Sequence, residues 1–199
     1  MVPVRTIVPG PSFCRHRNSS VPTSVTAAWR LTGVRSPKGD GVPGSRNGYD
    51  GGETAGVFVF RAQSADEAKA WAEADPTVTS GFLIAEMHPW WSEDIFGKPA
   101  KPLKLVPMYF AFLTRGEKWT PEKTPATEEI QKGHMANINK LAEMKKLVAA
   151  GPFGDNGRLR GIFVFRVASL DEAKALTATD PAVQAGRLAM EIHPWMVPE

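Results

Sequence analysis

The chain has a single cysteine, Cys14, among its 199 residues. No disulfide bond within the chain can therefore support the fold, which must be stabilised by packing alone. The apolar runs are all shorter than the roughly 20 residues that cross a bilayer, and no glycine-rich phosphate loop stands at a strand-to-helix junction. These absences predict a soluble, cytoplasmic protein with no cofactor and no membrane partner.

Acidic residues do not outnumber basic ones, since the formal net charge is +3 and the isoelectric point is near 9.1. The positive charge is concentrated in residues 1–55, which hold seven basic and three acidic side chains. The rest of the chain holds 17 basic and 18 acidic side chains and is nearly neutral. A neutral folded body lacks the basic surface that binds a phosphate backbone, so we expect no nucleic-acid partner.

Residues 1–55 also differ in composition, because they are rich in Arg, Ser, Pro and Gly and have no acidic residue before Asp40. Such a composition is typical of a low-complexity, disordered segment. An Arg- and Ser-rich start is compatible with an organelle transit peptide, although the frequent Pro and Gly disfavour the amphipathic helix of such a peptide. The alternative, which we favour, is an appended segment without a function of its own.

An internal repeat organises the rest of the chain. Residues 56–90 match residues 161–195 without gaps, and about 20 of 35 positions are identical. Solenoid repeats are about 20 to 50 residues long, so a repeat at an offset of 105 residues indicates a duplicated domain. We therefore divide the chain into a partial copy at 56–92, a linker at 93–107 and a full copy at 108–197.

Each copy predicts a strand, a helix and a second strand. The β-branched and aromatic run after the first glycine predicts a buried strand. Ser64 and Ser169, each followed three residues later by Glu, predict capped helix starts. These helices should end before the Asp-Pro dipeptides, because proline disfavours helical geometry in the preceding residue. The second strands, 82–88 and 187–193, are expected to end at His-Pro-Trp.

The second copy has further elements upstream. Residues 108–116 predict a strand, 127–146 a helix with His134 on its apolar stripe, and 147–150 a short strand. The order β-α-β-β-α-β is the ferredoxin-like α+β arrangement, with two helices on one face of an antiparallel sheet. At the equivalent offset the first copy has residues 24–34 among Pro and Gly, so we expect this half to be missing there.

Residues 108–196 resemble the YCII-related domain family of the dimeric α/β-barrel superfamily. The resemblance is carried by GHMANINKLAEMKKLVAAGPFGD, FVFRVASLDEAKAL and TDPAVQAGRLAMEIHPW, and the first copy matches in part, as a tandem partial duplication. It implies sheets paired face to face in a homodimer or an intramolecular pseudo-dimer. It also implies a small-molecule pocket with a His from the first helix and an Asp from the Asp-Pro dipeptide, positions held here by His134 and Asp180.

Both residues also have an ordinary structural interpretation. His134 interrupts an apolar stripe and should point inward, where a buried imidazole needs a partner. A carboxylate on one ring nitrogen would fix the tautomer and leave the other nitrogen free for proton transfer, whereas a backbone carbonyl would make it a core histidine. Asp180 is suited to cap a short helix starting at Pro181, so catalysis would be a role added to the cap.

Weaker signals surround this pair. Gly151 and Pro152, in a predicted turn, and Tyr109 are candidates for lining the pocket. Glu191 and His193 are two apart on a strand and share a face, but two ligands leave a metal site incomplete. We therefore expect a polar strand face and no bound metal.

The first copy departs from the pattern at the predicted pocket. It keeps Asp75, but we align Trp29 with His134, and Arg46 and Asn47 with the Gly-Pro of the full copy. An Asp alone cannot form the pair. The first copy is therefore expected to be a degenerate partner whose sheet completes the barrel, while any active site uses the second copy.

Two functional classes are compatible with these patterns. The first is a general acid/base enzyme acting on a small cyclic or aromatic molecule, with His134 as acid or base and Asp180 orienting it; the resemblance extends to dehydrochlorination of hydroxylated aromatics. The second is a non-catalytic small-molecule-binding or assembly module with a vestigial pocket. The sheet edge and apolar surface left by the missing half of the first copy predict self-association.

Overall fold

A computed structural model of the chain describes residues 25–33, 54–91, 101–102 and 104–198. These residues fall into two compact units, one within residues 20–91 and the other within residues 92–199. Both combine helices with an antiparallel sheet, so the α+β class expected from the sequence is confirmed. In the described ranges, no helix has both the length and the apolar character needed to cross a membrane.

The described residues of the first unit form a three-stranded sheet and two helices. Its elements are β1 (Val25–Gly33), β2 (Thr54–Ala62), α1 (Ala65–Glu73), α2 (Pro76–Thr79) and β3 (Leu83–Trp90). The central strand, β1, pairs antiparallel with both neighbours. The expectation of disorder therefore does not hold for 25–33, whose Val, Thr and Trp residues favour a strand. Residues 1–24 and 34–53 lie outside the described residues.

In the second unit, the part that the structure describes forms a four-stranded sheet and three helices. Its elements are β4 (Leu105–Arg115), α3 (Pro125–Glu143), β5 (Leu147–Pro152), β6 (Leu159–Phe165), α4 (Leu170–Thr177), α5 (Pro181–Gln184) and β7 (Leu188–Pro198). The strands lie in the order β5-β6-β4-β7, and each pair of neighbours is antiparallel. The core packs between the helices and one face of this sheet, and includes Ala111, Leu113, Ile138, Leu141, Phe163, Phe165 and Ala173.

Helix α3, which carries the candidate histidine, has a capped start and a sharp end. The Thr124 hydroxyl accepts a hydrogen bond from a first-turn amide, and Pro125 occupies the first helical position. At the other end Lys145 adopts a left-handed conformation with φ 59°, and the Lys146 amide donates to the Leu141 carbonyl at 3.0 Å. The helix ends at Glu143, whereas the sequence predicts an end at residue 146, because this turn contains no glycine that would mark it.

Two predictions about strand ends are wrong. The last strand of each unit passes through His-Pro-Trp, and β7 continues to Pro198. Pro194 pairs opposite Tyr109 on β4, and β7 tolerates it because an edge strand forms a ladder on one side only. Gly151 and Pro152 likewise lie in the edge strand β5, where a turn was predicted.

The alignment of Trp29 with His134 is also wrong. Trp29 pairs with Phe58 on β2, and the repeat equivalent of Phe58, Phe163, pairs with Ala111 on β4. Trp29 therefore corresponds to Ala111, on a central strand, and not to a helical residue. The constant offset fails here because the chain between the two strands is shorter in the first unit, 34–53 against 116–158. The other aligned pair, residues 46–47, lies outside the described residues.

Candidate functional site

The two residues singled out in the sequence are in direct contact. His134 lies on α3, and its Nδ1 is 2.7 Å from Oδ2 of Asp180, which immediately precedes α5. Asp180 is completely buried and His134 is 7% exposed. Because an ionised carboxylate can only accept hydrogen bonds, the Nδ1 atom must donate. In the neutral ring this leaves Nε2 unprotonated and able to accept a proton.

Asp180 is fixed through both of its oxygens. Oδ1 accepts the Ala182 amide at 2.8 Å, so the predicted cap of α5 is confirmed. Oδ2 also accepts from the Asn137 side-chain amide at 3.4 Å, and the Thr179 hydroxyl donates to the carbonyl oxygen of Asn137 at 3.1 Å. A buried carboxylate is tolerated when donors surround it. The cap and the histidine contact therefore use different oxygens of one carboxylate.

The position of the imidazole depends on two close approaches. The ring stacks on Phe163 of β6, with 5.9 Å between centroids and 11° between planes. Beside it, a Cβ atom at Gly133 would lie 3.0 Å from Cγ of Pro181, the first residue of α5. The missing side chain at Gly133 thus lets α3 approach α5 closely enough for the contact between His134 and Asp180.

His134 lines a cleft of about 820 Å³ within the second unit. Two of the three predicted lining residues, Gly151 and Pro152, contribute to its wall, together with Gly161. A Cβ at Gly161 would overlap the carbonyl oxygen of Gly151, so this part of the wall is bare backbone. Tyr109 is not among the lining residues and packs against the hydrophobic core instead.

The segment between β4 and α3 forms another wall of the cleft, from Trp119 to Lys123. Arg187 fixes this segment, because its guanidinium donates to the hydroxyl of Thr120 at 3.0 Å and to the carbonyl of Thr120 at 2.8 Å. The two residues are far apart in the chain and show no common pattern. Sequence reasoning therefore had no signal for this contact.

Asn137 and Arg160 are polar residues of the site that sequence reasoning missed. Asn137 follows His134 by three residues on α3 and so lies on the same helical face, a spacing that could have identified it. Arg160 lines the cleft. Burial lowers the pKa of its guanidinium, and the neighbouring charge of Arg115 lowers it further, while Asp155 acts in the opposite direction.

In the last strand of each unit, a Glu and a His two residues apart are in contact, as expected for Glu191 and His193 on one strand face. His193 Nε2 is 2.9 Å from Oε1 of Glu191, and the equivalent atoms of His88 and Glu86 are 3.3 Å apart. In the part of the chain that the structure describes, no group of three or more His, Cys, Asp or Glu side chains could hold a metal ion. Cys14 lies outside the described residues.

The fold and the site together define an α+β protein with an antiparallel sheet and a buried His–Asp pair at a cleft. The model of the YCII-related domain family matches residues 21–90 and 108–196. These matches cover most of the chain, which therefore belongs to the YCII-related domain family. The first match starts well before the internal repeat and includes β1. Among curated proteins, no match to the chain was found.

Proposed function

We propose that the second unit is a general acid/base enzyme that acts on a small cyclic or aromatic organic molecule bound in the cleft. The observation that supports this function best is the 2.7 Å contact between His134 Nδ1 and the buried Asp180 carboxylate. It makes His134, which lines the cleft, a proton-transfer group of defined orientation. Asp180 is the positioning residue, since it contacts the imidazole and not the cleft.

The proposed reaction begins with Nε2 of His134 taking a proton from the bound molecule. The imidazolium that forms is stabilised by the negative charge of Asp180 on the opposite ring nitrogen. Returning the proton to another atom of the molecule, or to a leaving group, completes an isomerisation or an elimination. The same pair could also activate a water for hydrolysis. Each of these steps requires the tautomer that Asp180 selects.

We also propose a ferredoxin-like fold for the second unit and a tandem partial duplication for the chain. Support comes from the element order of the unit and from its β5-β6-β4-β7 sheet, in which the first and third strands are the central pair. The β2-β1-β3 sheet of the first unit has the same arrangement as β6-β4-β7. On this interpretation the three described strands of the first unit correspond to β4, β6 and β7.

Self-association, as a homodimer or through an intramolecular pseudo-dimer, is part of the same proposal. In the first unit Phe58 is 51% exposed and Trp71 is 47% exposed, and large exposed apolar groups favour association. Light scattering at micromolar concentration tests the homodimer. A molecular mass near 21.7 kDa, that of one chain, would remove the homodimer from the proposal.

The catalytic proposal is tested with a panel of small phenols and lactones incubated with the full chain. We expect turnover of at least one compound, and a fall in kcat of about 100-fold or more in His134→Gln. The matched control is His193→Gln, which removes an imidazole that contacts a carboxylate but does not line the cleft. Equal activity of wild type and His134→Gln, or no turnover across the panel, would contradict the enzymatic function.

Asp180→Asn separates the enzyme from the binding module. Asn keeps an oxygen that can cap α5 but loses the negative charge next to the imidazole. For an enzyme, kcat should fall while most of the free energy of unfolding is retained. A loss of stability with no loss of turnover would leave Asp180 as a helix cap and favour a binding module.

A further inference from the structure

Arg160 lines the cleft and lies at an irregularity of the sheet. Opposite β4, the register of β6 passes from Gly161 to Leu159 and leaves Arg160 without a paired residue. Such a β-bulge turns a side chain out of the regular alternation, and bulges are common beside functional sites. Here the residue at the irregularity is the arginine that lines the same cleft as His134.

The guanidinium of Arg160 is incompletely hydrogen-bonded. Its buried Nη1 has no hydrogen-bond partner among the described residues, and the same is true of Nε of the neighbouring Arg115. Arg115 is otherwise engaged, because its Nη2 donates to the carbonyl of Asn156 at 2.6 Å and its guanidinium lies over the ring of Trp119. A buried donor without an acceptor is costly, and two adjacent positive charges raise that cost. The charge of Asp155 offsets part of this cost, and an anionic acceptor for Nη1 of Arg160 would offset the rest.

The other cleft cations are less suited to this role. The guanidinium of Arg187 already donates two hydrogen bonds to Thr120. Lys132 is paired with Glu129 at 3.2 Å, and both side chains are about three-quarters exposed, at 75% and 76%. Lys123, the third of these cations, is also exposed to solvent. Arg160 therefore lines the cleft and also has a buried donor, Nη1, without an acceptor among the described residues.

We propose that Arg160 binds the carboxylate of the molecule on which His134 acts, so that the substrate is a small cyclic or aromatic acid. This inference rests on the proposed function and names its substrate class. Arg160 and Phe163, on which His134 stacks, are three residues apart on β6, roughly 10 Å along a strand. A single ring bearing an acid group can bridge such a distance between the two long side chains, and the planar fork of Arg matches a carboxylate.

The test compares benzoate with benzamide, its neutral analogue, in titrations of the full chain followed by NMR. Wild type should bind benzoate about tenfold more tightly than benzamide, with shifts of the His134 ring signals. Arg160→Gln should lose this preference. Arg158→Gln, an equal change of charge at an exposed residue outside the cleft, should keep it. Arg160→Lys should bind benzoate with intermediate affinity, and serves as the test variant if Arg160→Gln does not fold.

Three results would overturn the carboxylate site: equal affinity for benzoate and benzamide, a preference that survives Arg160→Gln, or no benzoate binding at millimolar concentration. Inorganic phosphate is titrated in parallel, and a preference for phosphate over benzoate would also contradict it. Failure of the proposed function is distinguishable, because Asp180→Asn should leave the benzoate preference intact. If turnover does not depend on His134 and the preference still depends on Arg160, only the catalytic proposal fails.

Discussion

The same 35-residue pattern occurs twice in this chain, and the two surroundings differ. Phe58 and Phe163 are equivalent, yet Phe58 is 51% exposed and Phe163 is 2% exposed. In the second unit helix α3 covers this position, since His134 on that helix stacks on Phe163. The repeated segment thus provides the strand that carries Phe163, and helix α3 adds the histidine of the site.

The two Asp-Pro dipeptides also share a structural role but differ in their surroundings. Asp75 and Asp180 both cap a four-residue helix. The side chain of Asp75 accepts from the amide of Thr77 at 2.7 Å, and hydrogen bonds from Thr77 lower the pKa of its carboxyl. Asp180 keeps the cap and adds His134 on its other oxygen. The cap belongs to the repeat, and the contact with histidine is an addition.

The largest expected effect is at Phe163, the residue on which His134 stacks. Phe163→Ala should lower the free energy of unfolding of the second unit by about 3 to 5 kcal/mol, because it leaves a cavity beneath His134. Phe58→Ala should cost much less, since half of that side chain already contacts solvent. Hydrogen exchange of the β6 and β2 amides reports each unit separately. Equal losses in the two units would contradict the comparison.

The second effect is at the caps. Asp180→Ala should destabilise the second unit by about 3 kcal/mol, because it removes a cap and leaves the buried His134 and Asn137 without their acceptor. Asp75→Ala removes only a partly exposed cap from the first unit and should cost less. Urea denaturation of both variants measures this, and the comparison fails if Asp75→Ala is the more damaging change.

A third effect concerns the backbone wall of the cleft. Gly161→Ala should cost about 1 to 3 kcal/mol, because the new methyl group would overlap the Gly151 carbonyl and force β5 and β6 apart. At the equivalent Gly56, none of the described atoms lies within 4 Å of the position that a Cβ would occupy. Gly56→Ala should therefore be tolerated. A stable Gly161→Ala variant, seen by thermal unfolding, would mean that the strands can adjust.

The smallest effect is electrostatic and depends on pH. Lys146 Nζ lies 2.7 Å from Glu172 Oε1, and this contact, followed by the Ala168 amide, holds the pKa of Glu172 below its ordinary value. A lowered carboxyl pKa stabilises the fold above the unfolded pKa and ceases to do so as pH falls through the folded value. Glu172→Gln should thus be slightly less stable than wild type at pH 7, and the gap should close below about pH 4.

The matched control for this pH effect is Glu67→Gln. Glu67 holds the same helix position in the first unit and accepts the Gln63 amide at 2.6 Å. Chemical denaturation across the pH range should show a smaller change for this variant. A gap between Glu172→Gln and wild type that persists in acid would rule out the electrostatic explanation.

Local signals in the sequence were sufficient for most of the second unit. Hydrophobic periodicity, serine caps and the Asp-Pro dipeptides identified its strands and helices, and the stripe on α3 showed that His134 points inward. The resemblance to a family, not the spacing, paired His134 with Asp180. Contacts between distant segments left no local trace, as with the Arg187 contact to Thr120.

The errors have physical causes too. The chain between β1 and β2 is shorter than its counterpart, so a constant offset aligned Trp29 with the helical His134 and concealed the strand 25–33. Proline was taken as the end of β7, but an edge strand accommodates it. Arg160 was missed because it lies at an irregularity of the strand pairing, which periodicity does not encode.

The most direct test of the account is a long-range ¹H–¹⁵N NMR spectrum of the His134 ring in wild type and in Asp180→Asn. The account predicts that Nδ1 of wild type carries a proton in a strong hydrogen bond, seen as a far-downfield, slowly exchanging signal. That signal should be lost in Asp180→Asn, while the signals of His193 stay unchanged. A ring protonated only on Nε2, or a spectrum indifferent to the substitution, would contradict the His134–Asp180 pair and the function built on it.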